Sequence, residues 1–591
     1  MKKLLPLLVL FVLIQIAPVF SQTLNDFISA TRGDTLVVKT QDEMSGAANS
    51  LYQVIRLDSI NVPAGRVYLL KAGGTYPVQN NPNGYANRTT VIMGSDPTPL
   101  VNNKSAVNAP PLICGNVGAT GTNMAGLGSS GNLIVRNCAL TPTANDGSEN
   151  WLFTGTSTAN QRIEFDNCLF EHTRWVMVGA FNANCSYFLR NCYFVNLNGQ
   201  PCRRNGGVYD GFATLDTFLV ENTTHVMSQG MMYKWRNYTA NRIIVNHNTF
   251  VNNAGIQFMD LGTQVNVSYT NNMFVNSNVQ PYPGIKTIDD GEQDLDWQPM
   301  GLVNVYPDSA LEAKKTPRKF LVEGNNLWWD TGLLNAADTC NTLKVDGKTG
   351  WQSQMILMNT RTKSMFDNNT KYPYLTEGKQ YNEKPTFTDP KDLFTAQLVA
   401  LKKFAIATVD TGSTAVLPDW RLVYKGAGNY VYYDWPIPVN LAYSNATLME
   451  GATGKYPIGD LNWFPTQKTA WLAQRTAEYT AIQSALDNGK TTIATAVENV
   501  SAVPVQFQLD QNYPNPFNPS TTISFSLAKS ANTTLKVFNV LGREVATLVN
   551  GYTTAGLHDV HFDAAQFASG VYFYTLTSGN FTQTKKMVLV K

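Results

Sequence analysis

A four-residue frame recurs along the middle of the chain. It appears as Asn137-Cys138-Ala139-Leu140, Asn167-Cys168-Leu169-Phe170 and Asn191-Cys192-Tyr193-Phe194, then as Asn222-Thr223-Thr224-His225, His247-Asn248-Thr249-Phe250, Asn271-Asn272-Met273-Phe274 and Asn325-Asn326-Leu327-Trp328. Successive frames lie 30, 24, 31, 25 and 24 residues apart, and the last follows after 54, about two repeats. A period of this size marks repeats that stack on one another, because one repeat alone cannot bury its apolar face. Each frame follows a short β run (LIVR, RIEF, YFLR, TFLV, RIIV, VNVSY, KFLV). Each repeat therefore reads as strand, asparagine turn, strand, loop and third strand, which is one coil of a right-handed parallel β-helix.

Stacked coils sit about 4.8 Å apart, so equivalent side chains align. Asn137, Asn167, Asn191, Asn222 and Asn271 are expected to form a ladder at one turn, satisfying backbone groups that burial would strand. Cys138, Cys168 and Cys192 are expected to stack inside as free thiols, since the strand spacing exceeds the ~3.8 Å between Cβ atoms of a disulfide. Cys185 and Cys202 read as loop residues placed to pair. His225 and His247 read as substitutes within the ladder. Residues 335–465 carry no clear period, and Thr469 to Leu486 has helical spacing ahead of a Thr/Ala/Val linker.

Composition narrows the function classes. The 591 residues are only 15% charged with a net charge of +2, and the basic stripe of a nucleic-acid binder is missing. No close Cys or His pairs show zinc-ligand spacing. At the N-terminus, Lys2 and Lys3 precede an apolar run over 4–19 and the small residues Val19 and Ser21, the pattern of a signal peptide ending at 21. No other segment is long and apolar enough to cross a bilayer as a helix.

The C-terminal residues alternate as short strands between Gly and Pro punctuation: YPNPFNPST at 513–521, LKVFNVLGREVATLVNG at 535–551, GVYFYTLTSG at 570–579 and a KKMVLVK end. Over residues 505–591 the chain resembles the C-terminal sorting domains of the type IX secretion system of Bacteroidetes-like bacteria. The resemblance implies a small Ig-like β-sandwich, recognition by the type IX secretion machinery, and a secreted or outer-cell-surface location. The expected organisation is a signal peptide (1–21), a parallel β-helix with an irregular C-terminal part (22–465), a helix and linker (466–504) and the sorting domain (505–591): an all-β chain. Near the start, Ile92-Met93-Gly94 followed by Pro99 resembles the opening turn of pectate-lyase-like β-helices.

Chemistry is sought on the strand that follows each loop. With a coil of about 24 residues, Lys234 stacks on Asp210, and Arg236 beside Asp260. Alternation puts Lys234 and Arg236 on one face, and the cost of burying an ion points that face outward. A polysaccharide lyase needs a base and a cation at the proton α to a uronate carboxylate. Lys234 is the candidate base; Arg236, Arg203 and Arg204 are candidates to hold carboxylate or sulfate. The same residues also fit a surface ladder of salt bridges, and Asp210 with Asp260 fits a widely spaced hydrolytic pair. Asp289, Asp290, Glu292, Asp294 and Asp296 form an oxygen-rich stretch that would suit calcium. Tyr209, Tyr233 and Trp235, read as exposed aromatics of the same sheet, would instead make the chain a non-catalytic polysaccharide-binding protein or adhesin.

Overall fold

The structure, a computed structural model, describes residues 22–590 apart from short stretches, the larger ones at 79–87, 116–125, 144–150, 198–205, 282–286, 294–298, 308–316, 412–434 and 494–506. Three sheets dominate, of twelve, nine and five strands, and apart from the first three strands of the twelve-stranded sheet the neighbours are non-consecutive. One circuit shows why. Arg162–Asp166 lies in the first sheet, Leu169–Glu171 in the second and Val176–Ala180 in the third, and the chain re-enters the first sheet at Cys185–Arg190. Arg162 there pairs in parallel with Ser186 and Asp166 with Arg190. This stacking of coils is consistent with a parallel β-helix.

The turn from the first to the second sheet needs one residue in the left-handed region, where asparagine is tolerated better than most side chains. Asn137, Asn167, Asn191, Asn222 and Asn271 occupy it with φ of 56°, 53°, 54°, 49° and 59°, and His247 with 56°. Their backbone N–H groups run from coil to coil, as in Asn167 N to Arg190 O (3.0 Å) and Asn191 N to Glu221 O (3.0 Å). In the last such coil the left-handed residue is Gly324 (φ 72°), and Asn326 pairs with Met273. The frame read at Asn325 is thus displaced by one residue, and Asn325 falls beneath Asn272.

At the turn itself the expected ladder is made in part, Asn167 Nδ2 donating to Asn137 Oδ1 (2.9 Å), and a longer amide ladder lies one position further along, inside the coil. There Cys138, Cys168 and Cys192 are buried free thiols, and burial pushes Cys168 up to about 12. The same column continues as Thr223, Asn248, Asn272 and Asn325. Asn248 Nδ2 donates to Asn272 Oδ1 (2.9 Å), Asn272 Nδ2 to Asn325 Oδ1 (2.9 Å), and Asn325 Nδ2 to Gln380 Oε1 (3.1 Å). Cys185 is also free and buried, and it opens the strand Cys185–Arg190 rather than lying in a loop. Cys202 lies outside the described residues.

A second column is aromatic. Phe170, Phe194, His225, Phe250 and Phe274 stack with ring centroids 4.6, 5.0, 4.2 and 4.9 Å apart and planes within 12°. His225 is therefore a core residue of a strand (Thr224–Val226), not a turn substitute; His247 alone takes the turn role.

Both ends of the coil interior are covered. The helix Ser50–Leu57 brings Leu51, Val54 and Ile55 into the main core at one end, and Thr360–Phe366 brings Met365 and Phe366 in near Leu375 and Phe320 at the other. Of the later segment, the described residues 387–407 and 437–464 form a layer over the second sheet. Leu393, Leu398, Leu401, Phe404, Leu441 and Ile458 join outward residues such as Leu169, Val195, Val226 and Val251 in a second apolar cluster. That double burial explains the nearly continuous apolar reading of the second-sheet strands. The segment 451–464 continues this layer as a strap: Asp460 accepts from Thr224 Oγ1 (2.7 Å), and Gly459 (φ 99°) leaves no room for a Cβ against Thr249 Oγ1. The expected helix runs Pro465–Asp487 and lies on the coils. Its buried Glu478 accepts from Asn246 Nδ2 and from Trp471 Nε1, both at 2.8 Å, and stands 3.2 Å from His247.

The tail forms antiparallel sheets of three and four strands around their own core of Ile523, Phe525, Leu535, Val537, Tyr574 and Leu576. No helix among the described residues is long and apolar enough to cross a membrane.

Candidate functional site

The third sheet presents one outward row in which Gly155, Gly179, Asp210, Lys234 and Met259 are successive cross-strand partners. Lys234 does stack on Asp210, and Arg236 pairs with Asp260 after a register shift. Asp210 is the centre of a cluster. Arg236 donates to it twice, Nε to Oδ1 at 2.5 Å and Nη2 to Oδ2 at 2.9 Å; Trp175 Nε1 donates at 3.0 Å, and Lys234 Nζ lies 3.6 Å away. Arg236 reaches this geometry from a backbone φ of +51°, a conformation that costs roughly 1–2 kcal/mol for a side chain of this kind.

Two sequence expectations are corrected here. The ion group does not line an open groove: the side chains of Lys234 and Asp210 are 0% exposed and that of Arg236 is 6%, and Asp260 is also buried. Mutual neutralisation makes the burial of Lys234, Arg236 and Asp210 tolerable, because both cations have the Asp210 carboxylate within hydrogen-bonding or ion-pair reach. A neighbouring reason is visible in the same row, where Met259 packs with Met231, Ile256 and Met300, the last from a segment distant in sequence. The second correction concerns Tyr209, Tyr233 and Trp235, which alternate to the inside. All three belong to the main core: Tyr209 packs on Phe218 (4.5 Å), Trp235 on Phe258 (5.6 Å), and Tyr233 Oη lies 2.7 Å from His225 Nε2.

The aromatics that do reach the surface of this sheet are others. Phe181 and Phe212, which directly follow the paired strand ends Ala180 and Gly211, stack at 5.3 Å with planes 13° apart, and Trp175 meets Phe212 edge-on at 5.7 Å. Phe181 is 44% exposed, and its ring folds back over Gly179, where a Cβ would stand only 2.8 Å from it. Arg236 lies over the Phe212 ring, 4.4 Å from its centre. The buried ion group therefore supports an aromatic platform from behind: Asp210 fixes both Trp175 and Arg236, and Arg236 fixes Phe212. The sequence signal for these residues was available, since Phe181 and Phe212 stand at the same point of consecutive repeats.

Arg203 and Arg204 lie outside the described residues, as do Asp290, Asp294 and Asp296 and the side chains of Asp289 and Glu292. Among the described residues no group of three or more His, Cys, Asp or Glu side chains is placed to hold a metal ion.

The structure thus joins stacked parallel coils, with an aromatic patch on one sheet, to an antiparallel tail that has its own core. Residues 511–591 match the family model described as a secretion system C-terminal sorting domain. The chain thus carries a type IX sorting domain, which implies secretion or display at the cell surface and dealings with the type IX machinery. Neither the curated proteins nor the solved structures gave a match to the chain.

Proposed function

We propose that the exported passenger is a right-handed parallel β-helix that binds polysaccharide on the outer face of its third sheet, with an Ig-like sandwich as its address. The observation that carries this reading is the Phe181–Phe212–Trp175 platform. Sugar rings present C–H faces that pack on aromatic rings, and a rigid, partly exposed aromatic pair loses little entropy on binding.

The test is retention of the purified protein on immobilised uronic and neutral polysaccharides. Phe181→Ala is expected to weaken retention about tenfold, in line with an aromatic contact of about 1–1.5 kcal/mol, while leaving the melting curve unchanged. Undiminished retention of Phe181→Ala together with Phe212→Ala would refute the platform.

A second reading is favoured by one observation, the convergence of Lys234 and Arg236 on one carboxylate beneath that platform. A lyase with Lys234 as base would need this group to open to solvent on substrate binding. Its signature is unsaturated product that appears with the parent chain and disappears in Lys234→Ala.

A further inference from the structure

A cleft of about 680 Å³ lies on the outer face of the first sheet, walled by the helix Pro465–Asp487 through Leu472 and Arg475 and by Thr522 and His561 of the tail. Its floor comes from six successive strands of the first sheet, from Thr89 to Arg242. At the coil spacing that is a run of about 24 Å. Five arginines line it, Arg136, Arg162, Arg190, Arg242 and Arg475, against three carboxylates, Glu164, Asp166 and Glu221.

Part of this charge is an internal ladder. Cross-strand partners alternate as Arg136, Asp166, Arg190 and Glu221, and Arg475 Nε donates to Glu221 at 2.8 Å. The ladder does not account for the remainder. Glu164 alone gathers Arg136 at 3.0 Å, Arg162 at 2.6 Å and Arg190 at 3.6 Å. Burial by itself would raise the Glu164 carboxyl, but Arg190, Arg162 and Arg136 outweigh it and hold it at about 2. Glu164 is thus a fixed anion that cancels one of three cations. The guanidinium-bearing side chains stay partly open, 40% for Arg136, 32% for Arg162 and 20% for Arg190. Arg242 has no ion pair among the described residues, and the Nε–H groups of Arg136, Arg190 and Arg242 have no acceptor there. Those Nε atoms are themselves buried, so what stays open to a ligand is the positive charge of the partly exposed side chains of Arg136, Arg162 and Arg190. Phe188 gives the floor an apolar spot, with Arg162 3.7 Å and Arg190 5.0 Å from its ring centre.

We infer that this cleft is an anion-binding groove for a linear acidic polysaccharide, whose sulfate or carboxylate oxygens pair with the partly exposed guanidinium groups of Arg136, Arg162 and Arg190. A polymer is favoured over a single small anion because the arginines recur from coil to coil along the run. Arg fits both oxyanions through paired N–H donors. The groove is on a different sheet from the Phe181–Phe212 platform, so it stands or falls separately.

The experiment uses the full chain on immobilised dextran sulfate, with polygalacturonate and double-stranded DNA as competitors. The parent chain is expected to be retained at low salt, to elute as salt rises and to be displaced by polygalacturonate. Arg162→Gln with Arg242→Gln should weaken retention at least tenfold, whereas Lys at both positions should recover part of it and Phe181→Ala should leave it unchanged. Should the Gln pair fail to fold, Arg242→Gln alone, which breaks no ion pair, is expected to give a measurable loss. Retention of both Gln variants equal to the parent overturns the groove, and so does a parent that is not retained at all. Displacement by DNA but not by polygalacturonate overturns the glycan assignment.

Discussion

Replacing His225 by phenylalanine isolates one term of the acid sensitivity of the coil domain. His225 sits between Phe194 and Phe250 in the aromatic column, wholly buried, and burial pushes its pKa from 6.5 down to about 3. The folded chain therefore holds it neutral, while the unfolded chain takes up a proton as soon as the pH falls below 6.5. The sign follows: stability is full above pH 6.5 and is lost progressively as pH falls towards 3, where the folded state protonates too. At 1.36 kcal/mol per unit, the loss between pH 7.5 and pH 4.5 from this residue is about 3 kcal/mol. In His225→Phe that loss disappears, but the Tyr233 hydroxyl gives up its 2.7 Å contact with Nε2, at a cost of about 1–3 kcal/mol. The variant should be less stable than the parent at pH 7.5 and equal or superior at pH 4.5. Adding Tyr233→Phe should remove the neutral-pH deficit. Urea denaturation of parent, single and double variants across this range gives the difference curves directly. A difference between parent and His225→Phe that stays constant from pH 7.5 to 4.5 would show that His225 is not neutral in the folded chain, and the reasoning would fail.

Asn272→Ala should destabilise the coils by about 2–4 kcal/mol, because it removes the acceptor for Asn248 Nδ2 and the donors to Asn325 Oδ1 and Val245 O in a fully buried column; a shift in the denaturation midpoint reads this, and an effect below about 0.5 kcal/mol would mean that the ladder is not a structural element. Deleting 505–591 should leave the coils folded, since the tail has its own core, while abolishing surface display; circular dichroism and cell fractionation test the two halves, and normal display of the shortened protein would remove the tail's role as address.

The coils were legible because their constraint is local and repeated. A left-handed turn residue is needed once per coil, and asparagine or glycine at that point announces it, so the positions of Asn137, Asn167, Asn191, Asn222 and Asn271 were readable from the frame alone. The one slip, at Asn325, came from an adjacent pair of asparagines: the frame keeps its appearance when moved by one residue, and only the pairing of Asn326 with Met273 shows that Gly324 makes the turn. The His225 position was also hidden by the frame, because a histidine among polar neighbours reads as a turn residue until its column is seen to be phenylalanine above and below.

What lay beyond the sequence was the covering of the outer faces. Cross-strand spacing correctly put Lys234 on Asp210, whereas the alternation that turns Lys234 outward turns Tyr233 and Trp235 inward, against their reading as exposed aromatics. The inference that charged residues must face water failed because the solvation cost of an ion can be met by other ions: Asp210 receives two bonds from Arg236, one from Trp175 and the field of Lys234. Once those charges satisfy one another, segments from elsewhere in the chain can lie over the sheet, as Met300 does beside Met259, and as the layer that includes Leu393, Leu401 and Leu441 does over the second sheet. The same logic separates the two basic surfaces of this protein. On the third sheet the cations are matched and buried, so their work is to hold Trp175 and Phe212 in place. On the first sheet the arginines outnumber the carboxylates and remain partly open, so that face, rather than the Lys234 face, keeps positive charge available to an acidic ligand.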